Sequence, residues 1–541
     1  MKALLIGINS KYIHPSLALY QLKKNTKYDC QILELTIKDS ISRITEWVLE
    51  ILKTNEFDII GCSCYLWNIE YYLQLIKEIK RFNKNIYILM GGPEVSYDAQ
   101  YFLSNNSSID FIISSEGEES FDMLLNALDH NNDLNNVPNL YYRKDNNIIY
   151  TYHKYPDLNK VLLATLDVAH YKKRIVYLES SRGCPYTCSY CTASLETRVR
   201  YFPLEYILDI LYQLMINETK IVKFLDRTFN ANKEYMIKIL DFIDQHNICT
   251  TFQFEVVVET ISQDIIDKIN SLKGKYLRFE VGIQSTNNEV NLAVSRRQNM
   301  VKLKENIFLL QQTHKVDLHI DLIAGLPYET KESFISSFNE AFLLRGEELQ
   351  LGFLKFLRGT KMMDMIDEHE YVYDNHPPYE IIKNKYLNQD DLEEIHQVEK
   401  SLNRYYNNNI CPHLFNYLLD NQMVSSYYDF FKGLYKDISH YQKDELFVIL
   451  DNYLKDLFKD DYEYLHYLLK IDYLENFKVR PKIWWKNPPL KKDVIFKYIC
   501  SQNNDLSLEL LYRYSIVITY NNLIYVIIYK DFKFSSFRFK Y

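Results

Sequence analysis

Glycine and proline are scarce in this 541-residue chain, with 13 of each, and only one glycine, Gly433, lies beyond residue 360. The tight strand-to-helix turns therefore belong to the front two-thirds, and the tail is built differently. No stretch approaches the roughly 20 apolar residues of a membrane span, and Met1–Asn9 is too short an apolar run for a signal peptide. The longest apolar patch, Ile516–Tyr529, is broken by Asn521-Asn522 and predicts a hairpin. Basic charge is not in excess: 63 Lys and Arg against 71 Asp and Glu give −8. Without a basic stripe, sequence-independent nucleic-acid binding loses ground. Both G-x-G-x-x-G after the first strand and G-x4-G-K-[ST] are missing, so dinucleotide and simple NTP binding drop as well. What is present is ordinary globular material, 47% hydrophobic and 25% charged. It suffices for roughly three to four domains of about 150 residues. The 47 tyrosines read as compositional bias. These features predict a soluble cytoplasmic protein with no membrane insertion and no nucleic-acid partner.

Residues 1–125 alternate apolar strands (Ala3–Ile8, Cys30–Leu35, Asp58–Cys64, Ile86–Met90, Asp110–Ile113) with helices such as Pro15–Lys24 and Trp67–Arg81. That pattern predicts an α/β, doubly wound, Rossmann-like parallel sheet covered on both faces. Its ligand would lie beyond the carboxyl strand ends, at Asn9 and Ser10, Ser63, Gly91 and Gly92, and Glu116 and Gly117. Asn139–Tyr150 reads as a hairpin around Asp145-Asn146-Asn147, and the aperiodic stretch that follows it to His170 as the linker.

From residue 175 a strand–loop–helix pattern recurs six times, with strands starting near Ile175, Lys220, Thr250, Leu277, Val316 and Leu349. Six βα units predict a partial, TIM-like (β/α)6 barrel whose chemistry sits at the carboxyl strand ends. Cys184, Cys188 and Cys191 follow the first strand in a C-x3-C-x2-C run. Three thiolates leave a tetrahedral zinc site one ligand short, and no Cys or His follows within thirty residues; His153 and His170 lie upstream. On a four-iron cubane, three cysteines leave one iron open to a small molecule, which is a catalytic arrangement. The other six cysteines (Cys30, Cys62, Cys64, Cys249, Cys411, Cys500) read as inert core thiols. Asp226 or Asn230, after the second strand, either orients substrate or caps the helix beginning near Asn232.

The cysteine run resembles the signature of the radical S-adenosylmethionine (SAM) superfamily. That resemblance implies a 4Fe-4S cluster on Cys184, Cys188 and Cys191 whose open iron chelates SAM. Glu280-Val-Gly-Ile-Gln284-Ser285 is similar to the family's E-x-G-x-Q-S stretch, and Asp321–Pro327 to its adenine-cupping segment. The likeness implies SAM contacts at Tyr190, Glu255, Gln284, Ser285, Gly325 and Arg296, with Arg297 the neighbouring alternative; an arginine's forked donors suit a carboxylate. Glu255 also has a plainer reading, as a solvated strand-end carboxylate. The first domain resembles the cobalamin-binding domain of methionine synthase and of cobalamin-dependent radical enzymes, on Ser63 and Gly91-Gly92. The resemblance implies cobalamin contacts at Asn9, Ser10, His14, Ser63, Gly91, Gly92, Glu116 and Gly117. The family's D-x-H-x-x-G motif is not intact, because Tyr12 and Leu17 hold its Asp and Gly positions. His14 thus reads either as a cobalt ligand with no obvious neighbour to fix its ring tautomer or as a capping or packing residue at the start of the first helix.

The whole chain resembles a subgroup of cobalamin-binding radical SAM proteins that ends in a domain of unassigned role. Its expected domains are 1–138 (cobalamin-binding), 139–170 (hairpin and linker), 171–365 (barrel) and 366–541. The last is read as α-rich, with helices to about Leu474 and terminal strands at Tyr512–Tyr520, Leu523–Tyr529 and Phe532–Tyr541. The resemblance implies a class B methyltransferase working without oxygen on an unknown, small-molecule substrate. One SAM would methylate cobalamin, and a second would give the 5′-deoxyadenosyl radical that opens an unactivated carbon. A reductant such as flavodoxin or ferredoxin would supply electrons. The rivals are a non-methylating radical cyclase or rearrangement enzyme, and a cobalamin sensor with a structural cluster.

Overall fold

A computed structural model describes residues 1–145, 147–168, 174–437, 441–486 and 491–540. Asn146 of the expected turn, His170 at the end of the expected linker and Tyr541 lie outside the described residues. The chain packs as two compact units, Met1–Phe334 with Leu351–Gln389, and Ile335–Gln350 with Asp390–Tyr541. The two front regions thus share one unit, and residues 366–389, read from sequence with the tail, pack there too.

The first unit opens with β1 (Lys2–Asn9), α1 (Leu17–Lys24), β2 (Asp29–Thr36), α2 (Ile41–Thr54), β3 (Ile59–Ser63) and α3 (Ile69–Phe82). It continues with β4 (Tyr87–Gly91), α4 (Pro93–Ser96), α5 (Ala99–Asn105), β5 (Phe111–Ile113), α6 (Glu118–His130), β6 (Leu140–Lys144) and β7 (Asn147–Tyr150). Five parallel strands run in the order β2-β1-β3-β4-β5. The order reverses between β1 and β3, where such sheets bind ligands. Both faces are covered because successive strand residues enter opposite cores: Leu4, Ile6 and Ile8 pack in one, Ala3 and Leu5 in the other. The hairpin forms as expected and joins the sheet. β6 pairs antiparallel with β5, so the bare backbone edge of β5 is satisfied and the sheet reaches seven strands among the described residues.

The barrel follows α7 (Thr165–Val168) with β8 (Val176–Leu178), β9 (Ser181–Arg182), β10 (Arg200–Tyr201), α8 (Leu204–Ile216), β11 (Ile221–Phe224), α9 (Lys233–His246) and β12 (Thr251–Val256). Then come α10 (Gln263–Asn270), β13 (Leu277–Gln284), α11 (Asn288–Ala293), α12 (Met300–Gln311), β14 (Val316–Ala324), α13 (Lys331–Phe342) and β15 (Glu348–Phe353). The six main strands stand in the order β8-β11-β12-β13-β14-β15, the expected partial barrel. Burial alternates strictly: Leu277, Phe279, Val281 and Ile283 of β13 are buried on the helix side, while Arg278, Glu280 and Gln284 face the lumen. A closed barrel normally fills its centre with branched apolar side chains. Here the inward row is charged.

After the barrel, the short pair β16 (Val372–Tyr373) and β17 (Ile381–Lys383) belongs to the first unit. The tail then carries α14 (Gln389–Leu402), α15 (Pro412–Asp420), α16 (Tyr427–Leu434), α17 (Lys443–Leu457) and α18 (Tyr462–Glu475). Two further helices, α19 (Lys492–Gln502) and α20 (Leu508–Tyr514), correct the expectation that helices end near Leu474. The first terminal strand accordingly starts at Ser515, because Leu511 must bury with Phe496 and Ile499 in a small core beneath the sheet. β18 (Ser515–Tyr520), β19 (Leu523–Lys530) and β20 (Lys533–Lys540) form an antiparallel meander that contains the expected hairpin at Asn521-Asn522. No helix among the described residues is long and apolar enough to cross a membrane.

Candidate active site

The cysteine run lies in a loop closed at its base by an antiparallel step, Arg182 opposite Arg200 and Ser181 opposite Tyr201. Gly183 stands at φ +90, and a Cβ there would strike the Arg198 carbonyl, so this corner requires glycine. Asp226, 1% exposed, pins the strap beneath: it accepts from the Ser180 amide at 2.9 Å and from the Ser180 and Ser181 hydroxyls at 2.6 and 2.5 Å. Burial pushes its pKa up to about 6, against those hydrogen bonds. This corrects the sequence reading of Asp226 and Asn230. Asn232 is the residue that caps α9, accepting from the Tyr235 amide, while Asn230 ties to Val257 and Thr260.

Cys184 and Cys188 are buried and Cys191 is half-buried, all with free thiols. Among the described residues no three His, Cys, Asp or Glu groups converge on one metal ion. Three free thiols on one loop offer one thiolate to each of three corners of a cluster. Cations stand close by: Arg296 Nη1 donates to Cys188 Sγ at 3.8 Å, and its Nη2 donates to the Gly282 carbonyl. Burial pushes the Cys191 thiol up, so a thiolate there requires a positive partner such as iron. The loop is tied to the segment that follows the fourth main strand, at the end of α11, through the Ser189 amide and the Val294 carbonyl, 2.9 Å.

That fourth strand carries the second group of expected residues. Register slips between Gly282 and Gln284, and Gln284 sits at φ +68, a strained position for a residue with a side chain. The slip re-aims Gln284. Its Oε1, with Arg296 Nε and Glu259 Oε2, is buried without a hydrogen-bond partner. Three orphaned polar atoms beside the cysteine loop fit a polar ligand such as SAM. Of the two adjacent arginines, Arg296 turns inward and Arg297 is exposed. Ser285 points away, its hydroxyl on Glu329 at 2.6 Å, and is 0% exposed. Gly325, at φ +96, offers its carbonyl to Tyr371 and Asn384. Tyr190 hydrogen-bonds Cys188, and burial raises its pKa. Glu255 lines the lumen 3.5 Å from Arg227, and burial raises its pKa against that guanidinium. Deeper in, Lys223 Nζ binds both oxygens of Glu280 at 2.7 and 3.0 Å, and Gln253 joins them. Sequence reading missed Glu259, Arg227 and Lys223. For Lys223 the available signal was a charge on an inward strand position; Arg227 and Glu259 lie past the ends of β11 and β12, where no periodicity marks them.

The first domain brings its expected residues to one edge, the carboxyl ends of β1, β3, β4 and β5. Asn9 is buried on Glu34 at 2.9 Å, Ser63 shares a hydrogen bond with Ser16 at 3.1 Å, and Ser10 is half-exposed. Gly92 has a backbone reason of its own: at φ +107, a Cβ would stand 2.6 Å from the Cys64 carbonyl. A Cβ on Gly91 would meet only the Ile113 carbonyl, at 3.4 Å, so open space lies over this strand end. Gly117 packs on Leu22. Glu116 is directed at the barrel instead, paired with Arg182 at 2.6 Å and with Arg200. Tyr12, Trp67 and Tyr97 remain exposed at this edge, and Tyr65 stacks on Trp67 at 4.5 Å. Exposed rings around an open strand end fit a large, flat ligand such as a corrin. His14 has the partner that sequence could not supply, because its Nδ1 lies 2.6 Å from the hydroxyl of Tyr177 on β8.

The two carboxyl edges face each other. Arg174 pairs with Glu34 at 2.6 Å, and Arg182 gathers Glu116, Glu118 and Glu179 at 2.6 to 2.8 Å. Two sulfur positions depart from the expected core placement: Cys249 is exposed and Cys500 half-buried, whereas Cys30, Cys62, Cys64 and Cys411 are buried. Cys249 falls in the turn just before β12, outside the apolar face of the strand.

Family models match three successive segments: a B12 binding domain over residues 4–125, the radical SAM superfamily over 178–341, and a protein of unknown function (DUF4080) over 367–539. The chain thus joins a B12-binding domain to a radical SAM domain. The solved OxsB, a cobalamin-dependent SAM radical enzyme with aqua-cobalamin and SAM bound, shares this fold. The TM-score is 0.60 at 14% identity, covering 88% of this chain and 84% of that one. TsrM from Kitasatospora setae, a radical SAM methyltransferase, gives 0.57 at 14% identity, with 69% and 77% covered. An uncharacterized methyltransferase of Pyrococcus horikoshii is 24% identical over 330 residues, 58% of this chain and 69% of that protein. The anaerobic magnesium-protoporphyrin IX monomethyl ester cyclase of Synechocystis sp. is 27% identical over 248 residues, 43% and 49%. TokK of Streptomyces tokunonensis, a cobalamin-dependent radical SAM methyltransferase, is 25% identical over 302 residues, 52% and 44%. The chain therefore spans under half the length of the last two relatives.

Proposed function

We propose that this protein is a cobalamin-dependent radical SAM enzyme that methylates an unactivated carbon of a small polar substrate. One observation carries the reading: the three-cysteine loop and an open, ring-fringed sheet edge face one another across a charged lumen. Cys184, Cys188 and Cys191 would hold a 4Fe-4S cluster, and Gln284, Arg296, Gly325, Tyr190 and Glu255 would surround SAM. Ser63, Gly91 and Gly92, with Asn9, Ser10, Gly117 and His14 around them, would seat cobalamin. When bound, the cluster supplies the electron for reductive SAM cleavage and cobalamin carries the transferable methyl group.

The chain's own residues do the rest. Arg296 places positive charge between the cysteine loop and the SAM seat. Lys223, Gln253, Glu280, Arg227 and Glu255 give the lumen fixed hydrogen-bonding groups that orient a polar molecule. The arginine–carboxylate contacts along the seam keep bulk water from the reacting centre. The cyclase relative supports a second reading, a non-methylating radical reaction; the charged lumen suits a macrocycle poorly. An electron donor such as flavodoxin or ferredoxin is required in either case, in a reducing compartment.

The test is to incubate anaerobically reconstituted protein with methyl-labelled SAM and a strong reductant. An enzyme of this kind yields 5′-deoxyadenosine and passes label to the bound corrinoid and then to product. Deoxyadenosine without label transfer selects the cyclase reading, and neither product leaves a sensor. The EPR spectrum of the Co(II) corrinoid settles His14: a nitrogen superhyperfine triplet lost in His14→Phe marks a cobalt ligand, and its absence a docking contact.

A further inference from the structure

Residues 354–387 run as a strap from the end of the barrel across all three proposed seats, and most of its length lies in the stretch matched to a family of unknown function. It is anchored on the barrel by the Leu354 amide on the Ala324 carbonyl, 2.9 Å, and doubles back through Ile381 onto Leu354, 3.0 Å. At the SAM side, the Tyr371 hydroxyl and the Asn384 amide donate to the Gly325 carbonyl at 3.0 and 3.1 Å. At the cluster loop, the amide of buried Met362 donates to the Ser189 carbonyl at 3.0 Å, between the second and third cysteines.

At the cobalamin side the strap grips a buried carboxylate. Glu94, 4% exposed, is the second residue after the Gly91-Gly92 strand end. Its Oε1 accepts from the Tyr379 hydroxyl at 2.5 Å and from Arg358 Nε at 3.3 Å. Arg358 also reaches Asp98 at 2.5 Å, and its guanidinium lies 5.1 to 5.4 Å from the rings of Tyr101, Phe102 and Tyr379. A guanidinium held on several sides, bonded to a carboxylate that has left water, has one orientation open to it. Neither residue reaches the lumen chemistry itself.

We propose that Arg358 and Tyr379 are positioning residues: through Glu94 they fix the Gly91-Gly92 loop, and through the strap they fix the Gly325 carbonyl, so that filling the cobalamin seat tightens the SAM seat. The inference rests on the assignment of those two seats under the proposed function. Linkage makes the effect reciprocal, since each ligand must strengthen the other by the same factor.

The experiment uses the full-length, cluster-reconstituted protein. SAM affinity is measured by equilibrium dialysis with and without saturating hydroxocobalamin, and hydroxocobalamin affinity by absorbance with and without SAM. The wild type should show one common factor of about fivefold or more. Tyr379→Phe keeps the ring and removes only the hydroxyl, and Arg358→Met keeps the stem; each should bring the factor to within about twofold. Iron content and cluster absorbance should be unchanged in Tyr379→Phe. A purely structural role would lower both affinities and leave the factor intact, which would overturn the proposal, as would a wild-type factor of one. Wild-type protein that binds no hydroxocobalamin overturns the seat assignment, and the proposal with it.

Discussion

Two parallel α/β sheets meet in this protein, and they build their ligand edges from opposite materials. At the barrel mouth the working groups are side chains: three thiols, two arginines, and a lumen row of Lys223, Glu255 and Glu280. At the first domain's edge the working groups are gaps and backbone: Gly91 with open space above it, Ser63, and a fringe of exposed rings. Catalysis of bond cleavage needs charges and metal ligands fixed in place. Seating a large preformed cofactor needs room and shape. The difference teaches that a side-chain site announces itself in sequence, whereas a seat made of space does so only weakly.

The comparison can be broken first at the cysteines. Cys188→Ala should abolish the reduced-cluster EPR signal and all 5′-deoxyadenosine formation, whereas exposed Cys249→Ser should leave iron content unchanged. Equal iron in the two variants would remove the cluster assignment. Next in size is the seam. Arg182 is 10% exposed on its side chain and holds three carboxylates, so Arg182→Met strands buried negative charge. A loss of about 3–5 kcal/mol in denaturant unfolding is expected, and a loss under about 1 kcal/mol would show that the seam is solvated.

Asp226 gives a pH test of the strap beneath the cysteine loop. Its folded pKa, about 6, lies above the ordinary 3.8, so folding favours the protonated form. The stability it contributes is full below about pH 4 and is lost as pH rises through 6, up to about 3 kcal/mol. Asp226→Asn should flatten that segment of the curve, and parallel curves for the two proteins would contradict it. The smallest effects separate the paired glycines. Gly92→Ala forces a side chain to φ +107 and against Cys64, costing about 1–3 kcal/mol of stability. Gly91→Ala should cost under about 1 kcal/mol yet weaken hydroxocobalamin binding, and the reverse ranking would place the seat elsewhere.

Sequence carried the barrel because βα spacing and strand alternation are local, and the cysteine loop stood out because its three thiols lie within eight residues of one another, Cys184 to Cys191. It carried the first sheet for the same reason. Non-local pairing was invisible: nothing near His14 points to Tyr177, and nothing near Glu94 points to Arg358 or Tyr379. Glu116 was read for a ligand and instead meets Arg182 and Arg200, because its partners come from another domain. The tail failed at α19 and α20, where aromatic residues suit helix and strand alike and the small core of Phe496, Ile499 and Leu511 decides. Gln284 could be found by motif, but its strained backbone and orphaned amide oxygen could not.

The central claim is a cluster with one iron left for SAM, and the direct measurement is the EPR spectrum of the reduced, reconstituted protein before and after adding SAM labelled with nitrogen-15 in its amino group. The claim predicts a shifted spectrum and an electron–nuclear coupling to that nitrogen. A spectrum unmoved by saturating SAM, with no such coupling, would contradict it.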